Sequence, residues 1–392
     1  MRFLFKTRYE QDLGLFRDDV QRNCYVALLA AMVALPFLMP DFIPDFSLVL
    51  IYGLCGLSLM VLAGFTGLVS LGHAAFLGIG AYAHVYFSQT LGLPWIVSVA
   101  LAAFVSAGAG VLVGLPALRM TGLYLAIATL AFAQIIQEVF NRWEAVTGGL
   151  KGEAVERPVI FGYSFHGDGV ILGASIAYED LAFYFLCLAF LIAALWLTRN
   201  LLRAPTGRAF VAIRDSEIAA QSMGINLALY KTMAFAYSAA LMGVAGALFA
   251  HKIGFLAPDI FSILLSIQFL LMVVVGGLGS LHGAVLGAIF VALLPVAIGE
   301  VREGLPDWLG HLFAAFGPQA SEAVAETVDR FVKQPGLEPG IFGLILVLFI
   351  LFEPQGLYGR WGKIKLYFSQ FPLYKRASFR RQKSYMRSER LR

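Results

Sequence analysis

Few side chains in the long apolar stretches of this sequence could bind or transfer a charged group. Glu138 follows Gln134 in one apolar run, and His73 and Gln268 stand in two others. A carboxylate in a membrane span raises the free energy unless it is paired or faces water. Glu138 therefore indicates a water-lined pathway, although a position at the membrane interface explains it equally well. For His73, a buried and hydrogen-bonded structural role is favoured over proton transfer.

The residue patterns that mark enzymes are missing from the sequence. It has no G-x4-G-K-[S/T] loop that would bind phosphates. Cys24, Cys55 and Cys187 match no zinc or CxxC spacing, and no nucleophile–base set is recognisable. We therefore expect no enzyme activity, no metal and no cofactor in this chain. Uphill transport would draw on a partner ATPase or on an ion gradient.

The composition is that of a membrane protein. Of 392 residues, 59% are hydrophobic and only 14% are charged, and the mean hydropathy is +0.77. A soluble domain of this size cannot bury so much apolar surface, and a helix of ~20 apolar residues can cross a bilayer. We therefore predict an all-α, polytopic membrane helical bundle of about ten transmembrane helices. The apolar runs are 24–40, 46–63, 69–89, 94–116, 120–140, 181–199, 231–251, 261–278, 282–299 and 339–353.

The distribution of charge predicts which segments lie on which side of the membrane. Basic residues concentrate in short cytoplasmic segments, whereas an acidic excess marks two longer loops here. The first residues lack an early apolar core, so we expect no cleavable signal peptide. Ten spans place both termini in the cytoplasm. The predicted division is a cytoplasmic arm (1–23), a transmembrane domain (24–353) with periplasmic loops (141–180 and 300–338) and a cytoplasmic coupling segment (200–230), and a basic cytoplasmic tail (354–392).

The coupling segment, residues 200–230, predicts a short helix outside the bilayer. Pro205 ends the preceding apolar helix, and Thr206 is a suitable N-cap for the next one. Phe210 and Ile213 fall three residues apart and share one face of it. The expected result is a short amphipathic helix with its apolar side against the bundle.

A second short helix is predicted directly after the first. Asp215 or Ser216 can cap its start, and Gly224 suits the left-handed position after its end. Two short helices between membrane spans favour docking onto another protein over chemistry. A solvated interfacial helix without a partner is the alternative.

Glycines cluster at residues 64–80 and again at 276–279. Glycine permits close helix contact and local unwinding, where backbone carbonyls can face a water-lined path. Ordinary helix packing is the alternative for any single glycine. The second cluster predicts a break in its helix, and Gly243 and Gly246 predict a tight helix pair.

Three stretches of the sequence resemble one known family. They are GFTGLVSLGHAAFLGIGAY (64–82), GRAFVAIRDSEIAAQSMGIN (207–226) and SILLSIQFLLMVVVGGLGSLHGAVLG (262–287). Each is similar to a segment of the LivM-type permease subunits of branched-chain amino acid ABC transporters. The resemblance covers about residues 50–299 and 339–360. Gln268 departs from the family pattern, which has a glutamate there.

The resemblance implies an importer-type ABC permease fold and roles for three groups of residues. The expected ATPase-coupling residues are Gly207, Arg208, Arg214, Asp215, Glu217, Ala219, Ala220 and Gly224. The expected translocation-pathway residues are Gly67, Ser70, Gly72, His73, Gly78, Gln134, Glu138, Gln268, Gly276, Gly277 and Gly279. The expected contacts with a binding protein at the outer face are Trp143, Thr147, Gly148 and Gly149.

The same resemblance implies partners and a substrate. The chain would pair with a LivH-type permease, two cytoplasmic ATPases that use ATP and Mg, and a periplasmic substrate-binding protein, all at the bacterial inner membrane. Leucine, isoleucine and valine are the expected substrates, and no nucleic acid is expected to bind. Urea, amides, and aromatic or other carboxylates remain alternatives within the family, and an ion-coupled secondary transporter is the alternative outside it.

Overall fold

The chain folds almost entirely into helices in this computed structural model, which describes residues 19–117, 120, 122–156, 168–171, 174–313, 330, 334, 336–353 and 355–370. Residues 1–18 of the predicted arm and residues 371–392 of the basic tail lie outside the described residues. Within the predicted 300–338 loop, so do residues 314–329.

The elements follow each other along the chain with short connections. In order, the helices are α1 (Asp19–Leu38), α2 (Ile43–Leu59), α3 (His73–Val85), α4 (Trp95–Ala117), α5 (Leu123–Arg142), α6 (Glu144–Thr147), α7 (Tyr178–Arg203), α8 (Pro205–Asp215), α9 (Glu217–Ser222), α10 (Leu227–Ile253), α11 (Ile263–Gly276), α12 (Leu281–Phe313), α13 (Leu337–Phe352) and α14 (Gly356–Gln370). The strands are β1 (Glu153–Ala154), β2 (Asp168–Ile171), β3 (Ala174–Ala177) and β4 (Phe255–Leu256). Single turns of wider π-helix extend α2 through Met60–Phe65 and α3 through Tyr86–Thr90.

Each of the ten predicted apolar runs coincides with a helix, so the predicted helical membrane bundle is confirmed. Among the described residues, six helices are long and apolar enough to cross a membrane on their own. The pair α13 and α14, bent by 47°, makes a seventh if it counts as one span. The number falls short of ten partly because α11 has only 14 residues, since glycines end it early.

Polar segments continue some helices beyond the predicted membrane runs. Helix α12 extends to Phe313, although a loop was predicted from residue 300. Polar residues mark where the hydrocarbon region ends, but they do not by themselves end a helix, because the backbone hydrogen bonds of a helix are made within the helix. Two small antiparallel pairs, β1–β4 and β2–β3, also interrupt the predicted all-helical pattern.

The centre of the bundle is formed by α2 and α10, which are the most deeply buried of the six spans. Helix α10 packs against α2, α3 and α4, and α12 packs on α2 and α11. A Cβ atom on Gly80 would overlap the backbone of Gly243, and one on Gly246 would overlap the carbonyl of Leu77. The tight packing predicted at Gly243 and Gly246 is thereby confirmed, because only glycine lets the two backbones come so close.

One end of α10 is tied to a distant loop. Strand β1 pairs with β4, so Glu153 lies opposite Leu256 and Ala154 opposite Phe255. His251, at the end of α10, donates a hydrogen bond from Nδ1 to the carbonyl oxygen of Glu156 at 3.0 Å. The segment after α6 is therefore held against the end of α10 by main-chain hydrogen bonds and by one side chain.

Candidate functional site

Helices α8 and α9 form the predicted pair outside the bundle. The N-cap of α8 is Ala204, with Pro205 in the first turn, so the predicted cap at Thr206 is wrong. Proline fits there because the first turn needs no N–H donor and its φ suits a helix. Ser216 caps α9 by accepting a hydrogen bond from the N–H of Ala219 at 3.3 Å, as predicted. Gly224 follows α9 with a φ of 84°, which confirms the predicted left-handed position.

The apolar side of this pair is buried against the bundle. Phe210 and Ile213 are 1% and 2% exposed, which confirms the predicted amphipathic face. Phe210 joins a core cluster with Leu62 at the end of α2 and Leu125 at the start of α5. Helices α8 and α9 thus lie at one end of the bundle, which we call the coupling end.

The other side of the pair is exposed, and it is partly apolar. Ile218 and Met223 are 81% and 84% exposed, more than almost any other large apolar side chain that the structure describes. Arg208 is also exposed, whereas Gly207 is buried because α8 packs there on the backbone of Leu202. The exposed part of α8 and α9 therefore presents apolar and cationic groups together at the coupling end.

Glu217 anchors α9 to the central helix. Its Oε2 lies 2.7 Å from Nζ of Lys231 in the first turns of α10, and the Lys231 side chain is only 1% exposed. A buried ammonium group requires such a partner, because leaving it unpaired costs several kcal/mol. Sequence analysis predicted Glu217 as a residue of the coupling segment, but it did not predict the contact with Lys231.

Arg214 anchors α8 to a different part of the bundle. Its Nη1 donates a hydrogen bond to the carbonyl oxygen of Gly64 at 3.2 Å, and its Nη2 lies 3.0 Å from Oδ1 of Asp215. A Cβ atom on Gly67 would lie 3.0 Å from Cγ of Arg214, and one on Gly279 would lie 3.2 Å from its Nη1. Two residues predicted for the pathway, Gly67 and Gly279, therefore meet a predicted coupling residue at the same point.

His73 lies in a closed hydrogen-bond network at the start of α3. Ser58 and Ser238 each donate to the other's carbonyl oxygen, at 2.7 and 2.9 Å. Since the Ser238 hydrogen is used in that way, His73 must donate from Nε2 to Ser238 Oγ, at 2.9 Å. Its Nδ1 lies 3.1 Å from Ser70 Oγ, so both ring nitrogens have a hydrogen-bond partner. The favoured structural role of His73 agrees with this geometry.

Most of the glycines proposed for the pathway lie in tight packing. A Cβ atom on Gly72 would lie 2.6 Å from the carbonyl oxygen of Thr129, and one on Gly78 would lie 2.6 Å from the ring of Phe140. Gly276 packs on the backbone of α12, and Gly277, with a φ of 104°, packs on the start of α14. The predicted break after α11 is confirmed, whereas Gln268 lies half-buried in the middle of α11.

The residues expected at the outer face lie at the end of α5, opposite the coupling end. Thr147 is buried and donates a hydrogen bond to the carbonyl oxygen of Phe140 at 2.6 Å. Gly148 and Gly149 have φ values of 68° and 59° and form the turn that follows. Of the four, Trp143 is the one with a well-exposed side chain, at 55%.

Glu138 lies on the exposed side of α5 and forms an ion pair with Arg142, one helical turn further on. Both lie on one exposed face of α5 together with Gln134, Ile135, Val139 and Trp143. The predictions placed Gln134 and Glu138 here but missed Arg142. Its four-residue spacing from Glu138 was the signal that could have found it, because such pairs share a helix face.

The structure thus divides the predicted residues into two regions. The coupling residues and two of the predicted glycines meet at the coupling end, and Gln134 and Glu138 lie on an exposed face of α5 near the opposite end. Nowhere in the described ranges do three His, Cys, Asp or Glu side chains come together as metal ligands would. The described residues of these two regions provide contact surfaces and charged groups for binding.

Known proteins similar to this chain are transport permeases. The family described as the permease component of the branched-chain amino acid transport system matches residues 46–315. The LivM permease of the high-affinity branched-chain amino acid transport system from Salmonella typhimurium is 35% identical over 305 residues, which cover 74% of this chain and 72% of that protein. The LivM protein of Escherichia coli K12 gives the same identity and coverage.

A second kind of relative matches a smaller part of the chain. The autoinducer 2 import system permease protein LsrC of Klebsiella pneumoniae is 33% identical over 135 residues, which cover 33% of this chain and 38% of that protein. No solved structure matches the chain. The residues matched by the family include both α8 and α9 and most of the described bundle. The chain belongs to the family of permease components of branched-chain amino acid transport systems.

Proposed function

We propose that this chain is the membrane-spanning subunit of an ATP-driven importer for leucine, isoleucine and valine. The observation that carries the proposal is the exposed side of α8 and α9, where Ile218 and Met223 are more than four-fifths exposed. Large apolar side chains exposed at a polar helix pair mark an interaction site. We assign this site to the ATPase subunits, because the chain has no phosphate-binding loop of its own.

The two anchors of the pair supply a mechanism for coupling. Glu217 connects α9 to Lys231 of α10, and Arg214 connects α8 to Gly64 at the end of α2. Both receiving helices belong to the buried centre of the bundle. A shift of α8 and α9 during ATP hydrolysis would therefore move α2 and α10 directly, since packed helices move as rigid bodies.

The remaining partners follow from the same function. A second permease of the LivH type would complete the pathway, and two cytoplasmic ATPases would bind ATP and Mg. A periplasmic protein would deliver the amino acid at the end of the bundle that holds Trp143. We propose a location in the bacterial inner membrane, with both termini and the coupling end in the cytoplasm. Residues 141–180 and 300–338 then belong to the periplasmic side.

The test is transport by the complete complex. The chain, its second permease and the ATPases are reconstituted in liposomes, with the binding protein outside. We expect ATP to drive accumulation of radiolabelled leucine, and we expect no accumulation under a sodium or proton gradient without ATP. Accumulation driven by a gradient alone would contradict the proposal and favour an ion-coupled transporter.

The substrate is tested separately from the source of energy. Urea, a small amide and an aromatic carboxylate are offered to the same complex in place of leucine, each with ATP. We expect uptake of leucine, isoleucine and valine only. Uptake of another compound, together with failure of all three amino acids, would reject the substrate but leave the ABC permease in place.

A further inference from the structure

Helix α14 follows α13 after a bend and is fixed to the bundle at its start. A Cβ atom on Gly356 would lie 2.6 Å from the backbone nitrogen of Gly277, so the two chain segments are in close contact there. The ring of Tyr358 stacks on that of His282 at the start of α12, with the centroids 5.7 Å apart and the planes at 5°. These contacts hold the first turn of α14 at the coupling end of the bundle.

The length of α13 places the beginning of α14 at the boundary of the membrane. Helix α13 has 16 residues, so it can cross at most ~24 Å. The hydrocarbon core of a bilayer is ~30 Å thick. At least ~6 Å of the crossing remains for the residues after α13, and a helix bent away by 47° gains only ~1 Å of depth per residue. The hydrocarbon region therefore ends within the first turns of α14.

One face of α14 is apolar and becomes exposed where the helix leaves the bundle. Leu357, Trp361 and Ile364 are spaced by four and three residues and share this face. Leu357 packs against the core, whereas Trp361 and Ile364 are 57% and 41% exposed. Leu351 and Phe352, in the last turn of α13, are also largely exposed. The exposed apolar surface of α13 thus continues onto α14.

The polar residues beside this face are cationic. Arg360 is paired with Glu353 at 2.6 Å, across the bend, whereas Lys363 is exposed one turn further on. The sequence of α14 contains no Asp or Glu. Beyond it, residues 371–392 add Lys375, Arg376, Arg380, Arg381, Lys383, Arg387, Arg390 and Arg392 against Glu389 alone. The chain from Lys363 onwards therefore carries a strong positive charge directly after the membrane boundary.

Tryptophan is enriched at the boundary between hydrocarbon and headgroups, and basic clusters next to a span attract anionic lipids. We infer that α14 is a lipid-binding helix, in which Trp361 and Ile364 contact the acyl chains near the headgroups and Lys363 binds the phosphate of anionic phospholipids. The assignment to the inner leaflet rests on the proposed function, because that function sets the orientation of the chain. The contact with lipid follows from the depth, the apolar face and the charge of α14.

Quenching by lipid tests which face of α14 meets the membrane. Ile364→Cys and Gly362→Cys are each introduced with Cys24→Ser, while Cys55 and Cys187 are buried and stay. The two labelling positions lie on opposite sides of the helix, since they are two residues apart. A Cβ atom on Gly362 has no heavy atom within 4 Å, so this control position accepts a side chain. Each cysteine is labelled with bimane, and the complete complex is placed in nanodiscs that contain lipids brominated close to the headgroup.

We expect several-fold stronger quenching of the label at Ile364→Cys than of the label at Gly362→Cys, with and without the ATPases. Absence of quenching at both positions would place this helix in water or against a protein. Equal quenching at both positions would show that its apolar face is not the one turned to lipid. Quenching that disappears when the ATPases bind would assign the face to them. Each of these three results overturns the inference.

Energy transfer tests the preference for anionic lipid. A donor dye at Ile364→Cys is combined with acceptor-labelled phosphatidylglycerol or phosphatidylcholine at the same mole fraction. We expect at least about twofold more transfer to phosphatidylglycerol at low salt, and a much smaller difference at ~0.5 M NaCl, because salt screens the attraction. Lys363→Gln should reduce the preference, and Lys363→Arg, which keeps the charge, should preserve it.

The remaining outcomes identify the ligand and separate this inference from the proposed function. Equal transfer to both lipids at low salt, or an unchanged preference in Lys363→Gln, would refute binding of anionic lipid by Lys363. Inorganic phosphate at constant ionic strength should not reduce the preference, and competition by phosphate would point to a soluble anion instead. If the complex fails to accumulate leucine with ATP, the proposed function fails, but the quenching and transfer results still decide whether α14 binds lipid.

Discussion

Nζ of Lys231 lies 2.7 Å from Oε2 of Glu217, so a buried cation of α10 is neutralised by a partly exposed carboxylate of α9, the second helix of the coupling pair α8 and α9. This ion pair joins α10, which forms part of the core, to α9, which forms part of the exposed surface. Because the cation is the more deeply buried partner, the two residues are not equivalent. Removing the carboxylate leaves an unpaired charge buried in the core, whereas removing the cation leaves a carboxylate that water can reach.

We expect Glu217→Gln to destabilise the protein more than Lys231→Met does. The first variant leaves an unpaired buried ammonium group and should cost about 3–5 kcal/mol. The double variant, Glu217→Leu with Lys231→Met, should regain most of the lost stability, since apolar replacements of a buried pair are often neutral. Thermal unfolding of the purified complex, arranged as a double-mutant cycle, measures the coupling. Additive effects would show that the pair contributes no interaction energy.

Arg214→Ala should uncouple ATP hydrolysis from transport. The substitution removes the hydrogen bond to Gly64, so that α8 loses its connection to the end of α2. We expect ATPase activity to persist while leucine uptake falls several-fold. Arg208→Ala is the comparison, because Arg208 lies on the exposed side that we assign to the ATPases and donates a hydrogen bond to the carbonyl oxygen of Arg203, not to the centre of the bundle. It should lower co-purification of the ATPases, whereas Arg214→Ala should leave their binding unchanged. Loss of ATPase binding in Arg214→Ala would argue against a specific role of Arg214 in transmission.

Charges on the exposed apolar side chains of the coupling pair should release the ATPases. Ile218→Asp and Met223→Asp each place a carboxylate where we propose a partner surface to be buried, and desolvating it is costly. Co-purification of the ATPases with the permease should fall at least tenfold. Leu150→Asp serves as the control, because Leu150 is 80% exposed but lies at the opposite end of the bundle. Unchanged ATPase binding in the Ile218 and Met223 variants would mean that the ATPases bind elsewhere.

The contact between α3 and α10 should not accept a methyl group. Gly80→Ala would place a Cβ atom on the backbone of Gly243, and overpacking of this kind costs about 1–3 kcal/mol. Gly108→Ala on α4 is the control, because nothing lies within 4 Å of the added Cβ. It should be neutral or slightly stabilising, since alanine favours helices over glycine by up to about 1 kcal/mol. Melting temperatures in detergent compare the two variants. Similar melting temperatures would show that the helices can shift apart.

Local signals in the sequence were sufficient to predict the start and the end of α9 in the coupling pair. The side-chain oxygen of Ser216 and the missing Cβ of Gly224 act on their immediate neighbours, so their roles could be read without a tertiary structure. The same is true of the break at Gly277, where a positive φ ends α11. The apolar runs were equally informative, because each run needs only its own composition to favour a buried helix.

Contacts between distant segments could not be predicted in this way. The pairing of Glu217 with Lys231 and of Arg214 with Gly64 depends on how α8 and α9 turn back onto the bundle. Glycine spacing indicated close packing but not the partner, which for Gly80 is Gly243. Strands β1 and β4 were missed because two-residue strands carry no periodic signal, and their pairing joins residues about 100 positions apart.

The pairing of β1 with β4 has a consequence for how the two ends of the molecule communicate. Helix α10 has 27 residues, which corresponds to a rod of roughly 40 Å. Lys231 fastens its first turns to α9, and the β1–β4 pairing and His251 fasten its far end to the loop that follows α6. A stiff rod held at both tips cannot tilt at one without displacing the other. If the ATPases bind α8 and α9 as we propose, a protein bound to that loop would therefore respond to the nucleotide state at the other end of the bundle.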